Sequence, residues 1–354
     1  MKSRILFDCE RLKYENTGLF TFCENLGKAL LENAPSDLAM EYYVPANQVG
    51  IFGDSAKYHV QKPWHKLIVP GSGSFKIWHS SNQVSRYGPS SSKVKIVLTI
   101  HDLNFLIEKQ DEPLKIRRNL KKIQQRINKA SAIVCISNFV ATEVEKNFDL
   151  GGKEISIIYN GCTIDEYPEF SSPEYRPEKP FLFTIGTVLP KKNFHVLPAL
   201  LQDNDLELII AGNLSSESYV SKIIDEAKKI NVGSRVKILG PISDPERYWY
   251  YKNALAFVFP SIAEGFGLPV IEAMHYGKPV FLSNHTSLPE IGGDAAYYFE
   301  NFEPQHMQHV LKEGLENFSH GIMAGKAIER AKFFTWKQTA KSYHELYFQL
   351  LQSI

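Results

Sequence analysis

The sequence predicts an α/β protein built from two doubly wound parallel sheets. Short apolar runs alternate with amphipathic stretches almost from end to end. The runs are continuous rather than alternating, as expected of parallel strands buried on both faces. The pattern also occurs twice, on either side of a proline-rich break. At about 100–200 residues per domain, a chain of 354 residues accommodates two.

Taken in order, the first set of strand-like runs is RILFDC (4–9), MEYYVP (40–45), FKIWHS (75–80), VKIVLTIHD (94–102), AIVCIS (132–137) and ISIIYNG (155–161). After the first run, Leu19, Phe22, Leu26 and Leu30 recur at helical spacing. The break at 165–180 carries four prolines and no period. Proline fixes φ and cannot donate to a sheet, so residues 166–180 read as a hinge linker between domains at 1–165 and 181–335. The second set is FLFTIG (181–186), LELIIAG (206–212), RVKILG (235–240), LAFVFPS (255–261), PVFLS (279–283) and AAYYF (295–299). Strand–helix alternation on this scale implies right-handed crossovers. Residues 336–354 read as a helix with Tyr343, Leu346, Tyr347 and Leu350 on one face. Periodicity leaves open whether that helix packs on the second domain or crosses back to the first.

Lys and Arg number 40 against 39 Asp and Glu, a balance that argues against a nucleic-acid partner. Cys9, Cys23, Cys135 and Cys162 lie far apart, with no C-x-x-C pair. They suggest neither a disulfide framework nor a zinc site, and suit a reducing cytoplasm. The N-terminus reads as a strand rather than a signal peptide, and no apolar run approaches the ~20 residues that span a bilayer. The expectation is a soluble, cytoplasmic protein.

Two such domains would set their strand ends around a central cleft, and ligands of doubly wound sheets sit beyond those carboxyl ends. The strongest signal lies at such a turn, PSIAEGFGLPVIEA (260–273). A strand ends, a glycine-flanked turn follows, and a helix begins near Gly267. Gly265 and Gly267 let the backbone approach a ligand, and the helix start offers N–H donors to an anion such as a diphosphate. Glu264 in the turn and Glu272 on the helix could grip hydroxyls on either side of it. A plain glycine turn with solvated glutamates is the bland alternative. In GTVLPKKNF (186–194), a turn with Pro190 precedes a helix beginning near Asn193, and Lys191 and Lys192 put positive charge at its mouth.

Glu264 to Glu272 resembles the E-x7-E signature of glycosyltransferase family 4, retaining enzymes with the GT-B fold of two Rossmann-like domains facing a central cleft. Further motifs run along the chain in the family's order: NTGLF (16–20), TIHDL (99–103), ISNF (136–139), YNGC (159–162), GTVLPKKN (186–193) and SLPE (287–290). The resemblance implies a nucleotide-sugar co-substrate, no further cofactor and no metal. It assigns Glu272 to the ribose, Glu264 to the donor sugar, Gly265, Phe266, Gly267 and Leu268 to the cradle, and Lys192 to the diphosphate. Thr187 stands where the family often has an arginine, which leaves one phosphate contact weaker or absent. Gly18 opens the first helix where a ligand would approach. His101 is placed to hydrogen-bond a sugar hydroxyl, with Asp102 fixing its tautomer or capping the next segment. His101, Lys192 and Glu264 are thus the catalytic candidates, with no protein nucleophile. Closure about residues 165–180 would exclude water.

The remaining signals concern partners. In residues 113–130, Ile116, Leu120, Ile123 and Ile127 form an apolar stripe, and Lys115, Arg117, Arg118, Lys121, Lys122, Arg126 and Lys129 occupy the other faces. Such a helix could attract an anionic membrane surface or a lipid-linked acceptor, or be the solvated outside of a packed helix. Asp203-Asn204-Asp205 reads as a turn rather than a metal site, and His275 as a surface or packing residue. The implied activity is hexose transfer, with GDP-mannose suggested by the TIHDL turn, to a glycan or lipid-linked hydroxyl in surface polysaccharide synthesis. The rivals are a sugar-nucleotide epimerase on the same fold and a non-catalytic nucleotide-sugar binding module.

Overall fold

The computed structural model describes residues 2–15, 17–318 and 321–352. Asn16, the first residue of the NTGLF motif, lies outside them. In chain order the first elements are β1 (Ser3–Asp8), α1 (Gly18–Glu32), β2 (Leu38–Val44), β3 (Lys57–Val60), β4 (Ile77–Ser80), β5 (Lys95–Ile100), α2 (Phe105–Glu108), α3 (Pro113–Lys129), β6 (Ala132–Cys135), α4 (Asn138–Asn147) and β7 (Ile155–Ile157). There follow β8 (Phe181–Ile185), β9 (Glu207–Ala211), α5 (Glu217–Lys229), β10 (Val236–Gly240), α6 (Asp244–Asn253), β11 (Ala256–Phe259), α7 (Leu268–His275), β12 (Val280–Ser283), α8 (Leu288–Gly292), β13 (Tyr297–Phe299), α9 (Pro304–Phe318), α10 (Ile322–Lys332) and α11 (Trp336–Gln352).

The chain divides into two compact units. One holds residues 1–163 together with 334–354, and the other holds 164–333. The first unit's sheet has the order β3-β2-β1-β4-β5-β6-β7 and the second's β10-β9-β8-β11-β12-β13, with every pairing parallel. Strand order reverses between β1 and β4 in the first and between β8 and β11 in the second. Those two switch points are where such sheets hold ligands.

Central strands carry fully buried side chains on both faces, such as Phe257, Val258 and Phe259 of β11. This is the burial that the unbroken apolar runs foretold. β3 escapes that pattern because KYHV is a half-exposed edge strand. The helix expected from Asn193 is instead a 3-10 run over Phe194–Leu201, with Pro198 inside it. A proline there removes an N–H and crowds the preceding turn, so an α-helix is not sustained.

The last helix belongs to the first unit. α11 packs on α1, and Trp336, Tyr343, Leu346 and Tyr347 join the same apolar core as Phe7, Phe22 and Leu26. Tyr347 Oη lies 2.6 Å from Nδ1 of buried His79, whose Nε2 lies 2.8 Å from Thr99 Oγ1, and Thr99 in turn meets Tyr343 Oη at 2.9 Å. The chain re-enters where Cys162 N–H donates to the Phe334 carbonyl at 3.0 Å. A Cβ at Gly161 would stand on the Trp336 backbone, which explains the glycine of YNGC.

The proline-rich segment, expected as a linker, falls within the second unit and is pinned there. Tyr175 Oη and the N–H groups of Glu178 and Lys179 donate to the buried Glu207 carboxylate at 2.5, 2.9 and 3.0 Å. Tyr250 Oη donates to the Tyr175 carbonyl at 2.5 Å.

Candidate active site

At the switch point of the second unit, the loop after β8 meets the loop after β11. Gly212, at the end of neighbouring β9, has φ +123°, and a Cβ there would collide with the Gly186 carbonyl. Only glycine lets these two strand ends cross so closely. The loop after β8 continues through Pro190–Lys192 to Asn193, which adopts the left-handed conformation. The Lys191 carbonyl accepts Ile262 N–H at 2.9 Å and Ser261 Oγ at 3.1 Å. The backbone of Lys191 is therefore the seam between the loops, a role the sequence did not reveal.

That seam brings Lys192 onto Glu264. The ammonium forms an ion pair with the carboxylate, and both side chains are about seven-eighths covered, at 12% and 13% exposure. Lys192 Nζ also lies 4.8 Å from the Phe259 ring centroid, a cation–π contact from the end of β11. The two strongest sequence candidates are thus brought together and neutralise each other. Thr187 is half-buried on the same loop.

The cradle is held from behind by the turn after β12. Ser287, fully buried, donates its hydroxyl chiefly to the Phe266 carbonyl at 2.7 Å, with Glu264 O at 3.2 Å. Glu264 N–H donates to Thr286 Oγ1 at 3.1 Å, and Ser283 Oγ donates to the Ser261 carbonyl. The SLPE motif owes its serine to this duty. Gly267 N-caps α7 at φ +125°, where an L side chain would be strained and its Cβ would press on Leu288. Gly265 and Phe266 are buried in the turn, and Leu268 is half-buried at the start of α7.

Glu272 lies one turn beyond Leu268 on the same face of α7. Burial pushes its carboxyl upward, opposed by the Arg247 guanidinium and a hydrogen bond from Tyr251. Arg247 Nη1 stands 3.8 Å from Glu272 Oε1, and its Nη2 pairs with Asp244 at 3.1 Å. Arg247 went unnoticed in the sequence. Ser243 and Glu246 form a capping box at the start of its helix, but no local pattern ties α6 to α7. His275 ends α7 and meets Glu166 at 3.3 Å on the surface.

The other candidates belong to the first unit. Gly18 is the first residue of α1, behind the Thr17 cap, and a Cβ there would meet nothing within 4 Å. No protein contact demands glycine, so open space at the helix start is what remains. His101 is buried against Phe22, with Nε2 2.7 Å from the Ser81 carbonyl. Burial lowers its pKa to about 4. The ring is neutral, with its proton on Nε2 toward Ser81, leaving Nδ1 as the acceptor. Ser81, rather than Asp102, thus fixes the tautomer, while Asp102 Oδ1 accepts Asn104 N–H at 3.0 Å.

In α3, only Ile123 and Ile127 of the apolar stripe are fully buried. Arg126 turns inward, with Nη1 3.5 Å from the Tyr87 carbonyl, and Lys115 pairs with Glu112. Arg117, Arg118, Lys121, Lys122 and Lys129 are exposed, and Leu114 is 82% exposed. The basic face is real but has two fewer free charges than the sequence count. Among the described residues, no helix is long and apolar enough to cross a membrane.

Two parallel Rossmann-like units, with a charged glycine turn at the switch point of the second, define a GT-B glycosyltransferase. Two family models divide the chain between them: glycosyltransferase family 4 on residues 73–166 and the group 1 glycosyl transferases on residues 168–332. The chain belongs to the family 4 type of these enzymes. It is 29% identical over 272 residues to O-antigen chain mannosyltransferase B of Escherichia coli, covering 70% of each chain. It is 28% identical over 305 residues to the serotype-specific mannosyltransferase WbdA of the same organism, 79% of this chain but only 36% of that larger protein. The fold matches sucrose-phosphate synthase from Thermosynechococcus elongatus with a TM-score of 0.75 over the full length of both chains at 17% identity. It matches HepE of Anabaena, solved with UDP and glucose, with a TM-score of 0.69 over 99% of both at 16% identity.

Proposed function

We propose that this glycosyltransferase moves a hexose, with retention at the anomeric carbon, from a nucleotide diphosphate sugar to a hydroxyl of a glycan or lipid-linked acceptor in polysaccharide synthesis. The observation that carries this reading is the Lys192–Glu264 pair at the mouth of the Gly265–Gly267 turn. A diphosphate entering there competes with Glu264 for the ammonium. Once Lys192 turns to the phosphate, Glu264 is released to accept hydroxyls of the donor sugar. As the sugar–phosphate bond breaks, charge grows on the leaving diphosphate, where Lys192 and the turn's amides stabilise it. A protein cation in that place gives the reaction its electrostatic stabilisation without a metal or cofactor. Glu272 takes the ribose. The names of the relatives favour mannose, and hence GDP-mannose, as donor.

A thermal-shift panel of GDP, UDP, GDP-mannose and UDP-glucose tests the donor, since a ligand that binds only the folded state raises the melting temperature. GDP and GDP-mannose should stabilise the protein most. Glu272→Ala should lose about 1–3 kcal/mol of that binding. No stabilisation by any of the four would overturn the reading. With an identified acceptor, the anomeric configuration of the product reports retention, and activity in EDTA reports metal independence. Donor turnover without any acceptor would point to an epimerase instead.

The exposed basic face of α3, with Leu114 beside it, fits reversible attachment to an anionic leaflet where a lipid-linked acceptor would be met. Each cation near such a surface contributes about 1 kcal/mol. Binding to anionic but not neutral vesicles, lost as salt rises, is the expected result of co-sedimentation. Equal binding to both, or to neither, would leave α3 an ordinary packed helix.

A further inference from the structure

We propose that Arg247 is a positioning residue of the donor site, holding the Glu272 carboxylate charged and aimed for a vicinal diol. The proposal rests on the reading that Glu272 receives the ribose. Its observations are separate from the motif that suggested that reading.

Glu272 is only 14% exposed, so water does little to support its charge. Left alone, such a carboxyl prefers to keep its proton, and a protonated acid has less to offer two hydroxyl donors. Arg247 supplies the missing counter-charge from the first turns of α6. The 3.8 Å separation is long for a hydrogen bond but short for a charge pair. The guanidinium therefore supports the carboxylate without taking up the oxygen lone pairs that a diol would use. Asp244 anchors the other end of the guanidinium at 3.1 Å and sets its direction, while its own negative charge opposes Glu272 slightly.

The other groups near Glu272 do not replace Arg247. Tyr251, also on α6, adds a hydrogen bond to Glu272, and its hydroxyl lies 3.2 Å from the Pro269 carbonyl. Tyr276, just past α7, is held neutral by burial and the neighbouring acids. β11 and β12 bring no titratable side chain to α7. α10, which packs on α7, spends its charges elsewhere: Lys326 on Asp294, Lys332 on Glu329, and Arg330 on the carbonyls of Glu290 and Ile291 in α8. α8, which also packs on α7, carries an acid, Glu290, and no cation. Among the described residues, Arg247 is the cation paired with Glu272.

The test has two arms. The first follows the Glu272 carboxyl by carbon NMR in ligand-free protein, assigned by the signal lost in Glu272→Gln. Arg247→Met should raise its titration midpoint by about 1 pH unit or more, and Arg247→Lys should restore most of the difference. The second measures GDP and UDP affinity by calorimetry across pH. The charged carboxylate is present above its midpoint and lost below it, so the Met variant should bind more weakly than the parent as pH falls, by up to about tenfold for a shift of about 1 unit, and should match the parent at high pH, where both carboxylates are charged. An unchanged midpoint in a folded Met variant overturns the proposal. So does a loss of affinity that is the same at every pH and is not rescued by lysine. Failure of the parent to bind either nucleotide would instead overturn the donor-site reading, with the NMR arm unaffected.

Discussion

The two switch points occupy equivalent places in the two sheets and are built in opposite ways. In the second unit, the loops after β8 and β11 bring an ammonium and a carboxylate together at the edge of solvent. In the first, the ends of β1 and β4 bring Asp8 against Ser85. The Ser85 hydroxyl donates to Asp8 Oδ2 at 2.5 Å, Glu10 N–H donates to Oδ1 at 3.0 Å, and Asp8 has no exposed surface. The Lys192–Glu264 pair keeps some exposed surface, whereas Asp8 is sealed. Position beyond a strand end marks where chemistry is allowed. Whether a side chain performs it depends on whether its partner can be displaced.

The comparison is tested most sharply at Lys192. Lys192→Ala should lower turnover at saturating donor by about 10²–10³-fold, because the charge it meets grows in the transition state. Its effect on the melting temperature should be small. Turnover equal to the parent would show the second switch point to be as inert as the first.

Asp8 should give the opposite result. Burial raises its carboxyl from 3.8 to about 7. The folded state then keeps a proton that the unfolded chain releases above about pH 4, so this group's contribution to stability falls as pH rises through that window and is lowest above pH 7. The slope is about 1.4 kcal/mol per pH unit. Asp8→Asn removes the titration while keeping the shape. The variant should gain about 2–4 kcal/mol on the parent between pH 5 and pH 8, with nucleotide affinity unchanged. A stability difference independent of pH, measured by denaturant unfolding, would break the assignment.

The smallest effect is expected at Tyr347. Tyr347→Phe takes one hydrogen bond from buried His79 and should cost the first unit about 1 kcal/mol. Nucleotide affinity should not move. A change in affinity would mean that the buried network of the first unit reaches the donor site after all.

How far the sequence could be read follows from the same contrast. The strands were legible because burial on both faces writes itself as an unbroken apolar run, and β3 was lost because an exposed edge needs no such run. Glu264, Gly265, Gly267 and Glu272 were legible because one turn and one helix hold them within nine residues. Arg247 was not, because its partner arrives by packing α6 on α7. Nor was the bond from His79 to Tyr347, which joins residues 268 positions apart. The choice between the two roles left open for Asp102 could not be made from sequence, because the carbonyl that fixes the His101 tautomer belongs to a different strand's exit.

The place of α11 sets the timetable of synthesis. The second unit is one uninterrupted stretch and can close as soon as residue 333 has left the ribosome. The first unit, although most of it is made earlier, lacks Trp336, Tyr343, Leu346 and Tyr347 until the last helix emerges. Until then Phe22 and Leu26 of α1 lack the part of their cover that α11 supplies, and His79 has no tyrosine to meet. The domain that is translated first is therefore the one completed last. A nascent chain stalled just before Phe334 would present a finished second unit and an open first one, the stage at which a chaperone would have most to hold.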